Sequence, residues 1–158
     1  MQVNKSVRHN MKKLNPVPEG LIAPCGMNCA ICSRYLSYVN NLKRSQCTGC
    51  RAANKNCGAI LKSKCIRIKN ISKGNIAFCL ECSQYPCKRL NHLDKRYRNN
   101  YGMSMINNLE FIKKYGITYF IKDQYTKYAC SKCGNLISIH NKKCFKCDRI
   151  TKLVDKNA

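Results

Sequence analysis

The chain has 158 residues, too short for an α/β barrel of about 250 residues and for the enzymes built on one. Its 14 cysteines, about 9% of the chain, call for either a disulfide framework or bound metal. Thirty Lys and Arg against seven Asp and Glu give a formal charge of +23, a field that attracts polyanions and repels cationic ligands.

Residues 1–22 read as a disordered basic arm, closing with PVPEG. The arm contains no apolar run of the signal-peptide type, and no stretch of the chain approaches the ~18 apolar residues of a membrane span. The expectation is a cytoplasmic protein with no membrane partner and with reduced thiols, which favours metal over disulfides. A thin apolar core points the same way. Trp is absent and Phe occurs four times, so folding needs the staple that a bound metal supplies.

Residues 23–92 form a cysteine-rich metal-binding domain. Between 25 and 92 lie ten cysteines and twelve basic residues, with Glu81 the one acid. The stretch CGMNCAIC places Cys25, Cys29 and Cys32 at the spacing of the iron–sulfur loop of radical S-adenosylmethionine enzymes, but no βαβ repeat follows and the chain is too small for such a scaffold. More thiols follow instead: Cys47 and Cys50 in CTGC, then Cys79, Cys82 and Cys87 in CLECSQYPC. Eight thiolates fill two four-cysteine sites, and spacing does not assign partners. Cys57 and Cys65 stand apart, either as members of a site or as small buried hydrophobes. Ala30–Lys43 can form a helix with Ile31, Tyr35, Leu36 and Val39 inward. Ala59–Ile71 is ambiguous between helix and strand. Cys87–Asn99 reads as a helix with Leu90 and Leu93 inward, and Lys88, Arg89, Lys95, Arg96 and Arg98 outward.

Residues 93–127 are a helical connector without cysteine. Ser104 is a good N-cap for MINNLEFIKKY, Ile106, Leu109 and Ile112 give it an apolar stripe, and Gly116 is a natural stop. A second helix is expected over Thr118–Lys127. Residues 128–152 have the spacing of a zinc ribbon: Cys130-x-x-Cys133, ten residues, then Cys144-x-x-Cys147. Each C-x-x-C aims two sulfurs at one ion, and four thiolates close a tetrahedral zinc and leave no position for substrate. Leu136, Ile137 and Ile139 suit a strand between the pairs. With four sulfurs present, His140 is expected at the surface. Residues 153–158 are a tail.

The run APCGMNCAICSRYL, then CTGC, the single Cys57 and Cys65, and KGNIAFCLECSQYPCKRL resembles the domain-of-unknown-function 3795 family of small prokaryotic cysteine-rich proteins. The resemblance covers roughly residues 23–92, and its most specific element is the Cys79–Cys87 segment followed by Leu90. It implies a metal-binding, zinc-type domain with no established activity. Where this family more usually has acids around the Y-P-C segment, this chain has Ser83, Gln84 and Lys88.

The expected fold is a small metal-stabilised α+β protein: a cysteine-rich domain, a helical hairpin and a C-terminal zinc ribbon. Its cofactor is zinc, about three ions, with iron–sulfur clusters as the alternative because they use the same ligands. Twelve thiolates on three zinc ions would still leave about +17. The leading functional reading is a zinc module binding RNA or DNA. Lys62, Lys64, Arg67, Lys69, Lys88 and Arg89 would meet phosphates, and Tyr35 and Tyr85 would stack on unpaired bases. The alternative is a protein–protein assembly module, and a lesser one is an iron–sulfur or redox protein. No Ser-His-Asp set, phosphate-cradling Gly loop or carboxylate cluster suggests an enzyme. His92, near the cysteines, could replace a thiolate.

Overall fold

The computed structural model describes residues 17–42, 47–51, 65 and 76–150. Four α-helices occur among them: α1 (Ser33–Val39), α2 (Lys88–Tyr101), α3 (Met105–Tyr115) and α4 (Ile117–Tyr128). Single 3-10 turns form at Glu19–Leu21, Cys29–Ile31 and Cys79–Glu81.

The helices α2, α3 and α4 set the frame. In α2, Leu90, Leu93 and Asp94 face inward, and the helix stops at Gly102. Gly102 takes a left-handed φ of 66° and donates its N–H to Arg98 O (3.1 Å). Ser104 then caps α3, its hydroxyl accepting the Asn107 N–H at 3.0 Å. Met105, Leu109 and Ile112 form the buried stripe of α3, while Phe120, Ile121 and Gln124 are buried on α4. α3 packs against both α2 and α4.

The N-terminal segment lies on this helical layer. Asn108 Nδ2 donates to Gly26 O (2.9 Å), and a Cβ at Gly26 would stand 2.7 Å from the Met105 carbonyl. Gly26 therefore allows the cysteine loop to touch the α3 backbone. One core results, with Ile22, Ile31, Leu90, Met105, Leu109, Phe120 and Ile139 almost fully buried. Ile139 also donates its N–H to Ile31 O at 2.9 Å, so the C-terminal segment closes onto the cysteine loop.

Some expectations change. The protein is mostly helical, and among the described residues β-pairing reduces to isolated bridges: Ile22–Asn28, Ala129–Leu136 and Ile137–Cys144. Between the C-terminal cysteine pairs, Leu136 and Ile137 each pair once, with Ala129 and Cys144, and the turn at 139–141 follows directly, so no ladder extends. The helix expected over Ala30–Lys43 is shorter, because Cys32 is extended and separates a 3-10 turn from α1. Asn41, in a left-handed conformation, follows its end, and Val39 is 47% exposed rather than inward. The Ala59–Ile71 segment lies outside the described residues except for Cys65.

Candidate metal centre

Two C-x-x-C turns bring four sulfurs together at the C-terminus. In the first, the Gly134 N–H donates to Cys130 O (2.7 Å) and the Cys130 N–H to Asn135 O (2.7 Å). Gly134 supplies the left-handed φ of 76° that the turn requires. In the second, the Asp148 N–H donates to Cys144 O (2.9 Å), and the Asp148 carboxylate accepts the Cys144 N–H (2.8 Å). The α4 helix anchors the pair of turns through Tyr125, whose hydroxyl donates to Gly134 O at 2.7 Å.

The ligand atoms of Cys130, Cys133, Cys144 and Cys147 all lie within 4.8 Å of one another. Cys130 and Cys147 sulfurs are 3.9 Å apart, and those of Cys133 and Cys144 are 3.5 Å apart. Cys130 and Cys144 are buried, Cys133 and Cys147 half-buried. Three of the four thiols are shifted in acidity. Hydrogen bonding from the Asn135 backbone and side chain brings Cys133 down to about 6. Hydrogen bonding to Cys133 and burial push Cys147 up to about 12, and burial also raises Cys144. Cys147 and Cys144, raised in this way, must give up their protons when a metal binds. Such a closed sulfur set can hold a metal ion.

The other cysteines are arranged less tightly. Among the described residues the C-terminal four are the one group whose sulfurs meet within 4.8 Å. Cys25, Cys29 and Cys47 are buried, and Cys32, Cys50, Cys65, Cys79, Cys82 and Cys87 are half-buried. Cys57 lies outside the described residues, as do Lys62, Lys64, Arg67 and Lys69. Lys88 and Arg89 are exposed in the first turn of α2. Tyr35 and Tyr85 are half-buried and turned toward the protein. Burial and the thiols of Cys29 and Cys47 raise the Tyr35 hydroxyl, while Tyr85 donates to Glu110 Oε1 at 2.8 Å. The exposed rings are Tyr38, Tyr115 and Tyr119, the last 67% exposed.

His140 is not a surface residue. Its Nδ1 accepts the Ser33 N–H at 3.1 Å, its Nε2 is 3.1 Å from the Tyr97 hydroxyl, and its ring packs edge-on against Tyr101. A neutral imidazole that accepts at Nδ1 carries its proton on Nε2, so it donates to Tyr97. No pattern in the local sequence marks this role, because Ser33 is 107 residues away. His92 is exposed on α2.

Fold and site together define a small, mostly helical, cysteine-rich protein with a C-terminal thiol cluster suited to metal. The model of the family described as a protein of unknown function (DUF3795) matches residues 21–92, which bears out the resemblance read from the sequence over that segment. Neither a curated protein nor a solved structure gives a match. No helix among the described residues is long and apolar enough to cross a membrane.

Proposed function

We propose that this chain is a zinc-stabilised module that binds nucleic acid through a basic surface. Four of the seven acids are engaged within the fold, and this carries the reading. Glu81 accepts the N–H groups of Ala77 and Phe78, Glu110 the Tyr85 hydroxyl, and Asp148 the Cys144 N–H. Asp94 is buried and accepts from Ser104, Ile106 and Arg98, the Arg98 contact being the one ion pair between described residues. The outward cations therefore have little internal compensation. On α2, Lys88 and Lys95 stand seven residues apart, as do Arg89 and Arg96, forming two neighbouring exposed rows. Rows of that kind suit phosphate contacts, which set affinity without reading sequence.

Zinc is favoured by the sulfur spacing. Zn–S bonds of about 2.3 Å in a tetrahedron place sulfurs about 3.8 Å apart; two of the pairs, at 3.5 and 3.9 Å, lie on either side of that value, and all four sulfurs lie within 4.8 Å of one another. An iron–sulfur cluster holds its thiolates farther apart, around a core of iron and sulfide. The pair of turns supports a ribbon-type site of structural character, since four thiolates leave no open position.

The test is a titration of the full chain with RNA and DNA at two salt concentrations, repeated after reversal of Lys88, Arg89, Lys95 and Arg96 to Glu. Reversal of Lys62, Lys64, Arg67 and Lys69 forms a second arm. Affinity should fall steeply with salt, and charge reversal should weaken all sequences alike and flatten the salt slope. Absence of binding at low salt, or equal binding by wild type and both variants, favours the assembly-module reading instead. The exposed Tyr115, at the end of α3, and Tyr119, in the first turn of α4, give that second reading its observation.

A further inference from the structure

We propose that the cysteine-rich region holds two further thiolate-bound metal centres, one on Cys29, Cys32, Cys47 and Cys50 and the other on Cys25, Cys79, Cys82 and Cys87, with the Arg51 guanidinium between them. The ligand class is a thiophilic metal, either zinc ions or iron–sulfur clusters.

The first group is assembled by the close approach of two loops. The Cys50 N–H donates to the Cys29 sulfur at 3.3 Å. An N–H pointed at sulfur is the contact that stabilises a thiolate, and the C-terminal centre shows its counterpart in the bond from Asn135 Nδ2 to Cys133 at 3.4 Å. Gly49 makes the approach feasible: it has φ of 104°, and a Cβ there would stand 2.9 Å from Leu21 Cδ2 and 3.9 Å from Cys29 Cβ. Cys29 and Cys32 share one 3-10 turn, closed by the Cys32 N–H to Cys29 O bond at 3.0 Å.

The second group is brought together by a different bond. The Cys79 N–H donates to Pro24 O at 2.8 Å, which sets Cys79 beside Cys25. Cys79 and Cys82 then repeat the same 3-10 turn, closed by a 3.0 Å bond from the Cys82 N–H to Cys79 O. Tyr85 N–H to Cys82 O (2.9 Å) turns the chain back to Cys87, the N-cap of α2. These three bonds bring the Cys25, Cys79 and Cys82 segments together ahead of Cys87 and the start of α2.

Arg51 joins the two groups. Its Nε donates to Ile22 O at 2.6 Å, and its guanidinium lies 4.7 Å from the centre of the Phe78 ring. Half-buried there, it follows Cys50 directly in the chain and lies over the ring of Phe78, the residue before Cys79. A zinc ion with four thiolates carries a net charge of about −2, so a fixed cation between two such centres offsets part of their charge.

Full-length protein purified anaerobically, and the variants Cys47→Ser, Cys79→Ser, their double and Cys130→Ser, would be assayed for bound zinc, iron and acid-labile sulfide. Each single variant should lose about one third of the metal, and the double about two thirds. Equal losses in the double and in either single variant would mean one shared centre and overturn the division. If the variants fold poorly, cobalt(II) titration of the reduced wild type decides: three saturable equivalents with thiolate charge-transfer bands support the proposal, and saturation at one equivalent refutes it. Arg51→Gln should weaken two of the equivalents about tenfold and spare the third; unchanged binding would remove Arg51 from the proposal. Because the Cys130→Ser arm reports the C-terminal centre alone, these outcomes are separable from failure of the proposed function.

Discussion

His140→Phe isolates the junction between the C-terminal centre and the rest of the fold. Phenylalanine keeps an aromatic ring against Tyr101, whose centroid is 4.8 Å from that of the imidazole, and removes both ring nitrogens. The Ser33 N–H, at the start of α1 and on a residue only 5% exposed, then loses its Nδ1 acceptor. Leaving a buried donor unsatisfied costs about 1–3 kcal/mol. The Tyr97 hydroxyl loses a donor, for about 1 kcal/mol more. The sum is about 2–4 kcal/mol, which for a chain of this length lowers Tm by roughly 5–15 °C. The assay is thermal unfolding by circular dichroism on metal-loaded protein, with metal content measured in parallel. Tyr97→Phe, which leaves the Ser33 bond intact, should cost less, about 0.5–1.5 kcal/mol. A Tm within about 1 °C of wild type, at unchanged metal content, would show that the junction does not depend on these bonds.

Asp94→Ala should destabilise by about 2–3 kcal/mol. The loss comes mainly from the Ser104 hydroxyl (2.6 Å) and the Ile106 N–H (3.1 Å), since Arg98 is more than half exposed and its pairing is screened; urea unfolding measures it. Burial raises the Asp94 carboxyl, but the bonds from Ser104, Ile106 and Arg98 outweigh it and leave it below its ordinary value. Its contribution is therefore complete above about pH 4 and lost as pH falls through the lower folded value, which the acid limb of a stability–pH curve should show in wild type and lack in Asp94→Ala. Metal affinity of the C-terminal centre should also fall with acid, by about tenfold per pH unit for each proton displaced. Cys147 and Cys144 both stand raised, so two protons or more are expected from a chromogenic zinc-release assay; a pH-independent affinity would exclude thiolate ligation. Chelation of all metal should melt the cysteine-rich region, and retention of full ellipticity with cooperative unfolding would contradict a metal-dependent fold.

What could be read from sequence was local. Ser104, Leu109 and Ile112 of the expected stripe, and Gly116 mark both ends and most of the buried face of α3, because a side-chain cap, a 3.6-residue period and a glycine stop each act within one or two turns; the third buried residue is Met105, in place of the expected Ile106, which is half-buried. The Cys130–Cys133 and Cys144–Cys147 pairs were legible for a related reason: a C-x-x-C turn converges on one point with little help from the rest of the chain. His140 and Asp94 were not legible. His140 meets partners 107 and 43 residues away, and no periodicity records such contacts. Asp94 stands in the strongly basic stretch KRLNHLDKRYRNNY, where a lone acid reads as a solvated residue. Its placement ten residues before Ser104 and four before Arg98 becomes meaningful only after the α2–α3 turn folds back.

The distribution of the core gives the metal sites a consequence that a chain of separate modules would lack. Ile22, Ala23, Met27, Ala30 and Ile31 are all buried, and they alternate in sequence with Cys25, Cys29 and Cys32. The segment that presents the thiols is thus the segment that fills the space against Met105 and Leu109. Metal bound there would fix the loop backbone and position those apolar side chains at the same time. Ile139 extends the coupling, since it donates to Ile31 O and is itself 1% exposed, one residue before His140. Loss of metal from the cysteine loop should therefore loosen the packing of Ile139 as well, even while Cys130, Cys133, Cys144 and Cys147 keep their own ion. Amide exchange at Ile139, compared between metal-loaded wild type and the Cys47→Ser/Cys79→Ser double variant, measures that coupling. Faster exchange in the variant supports it, and equal rates would mean that the apolar core holds the loop without help from metal.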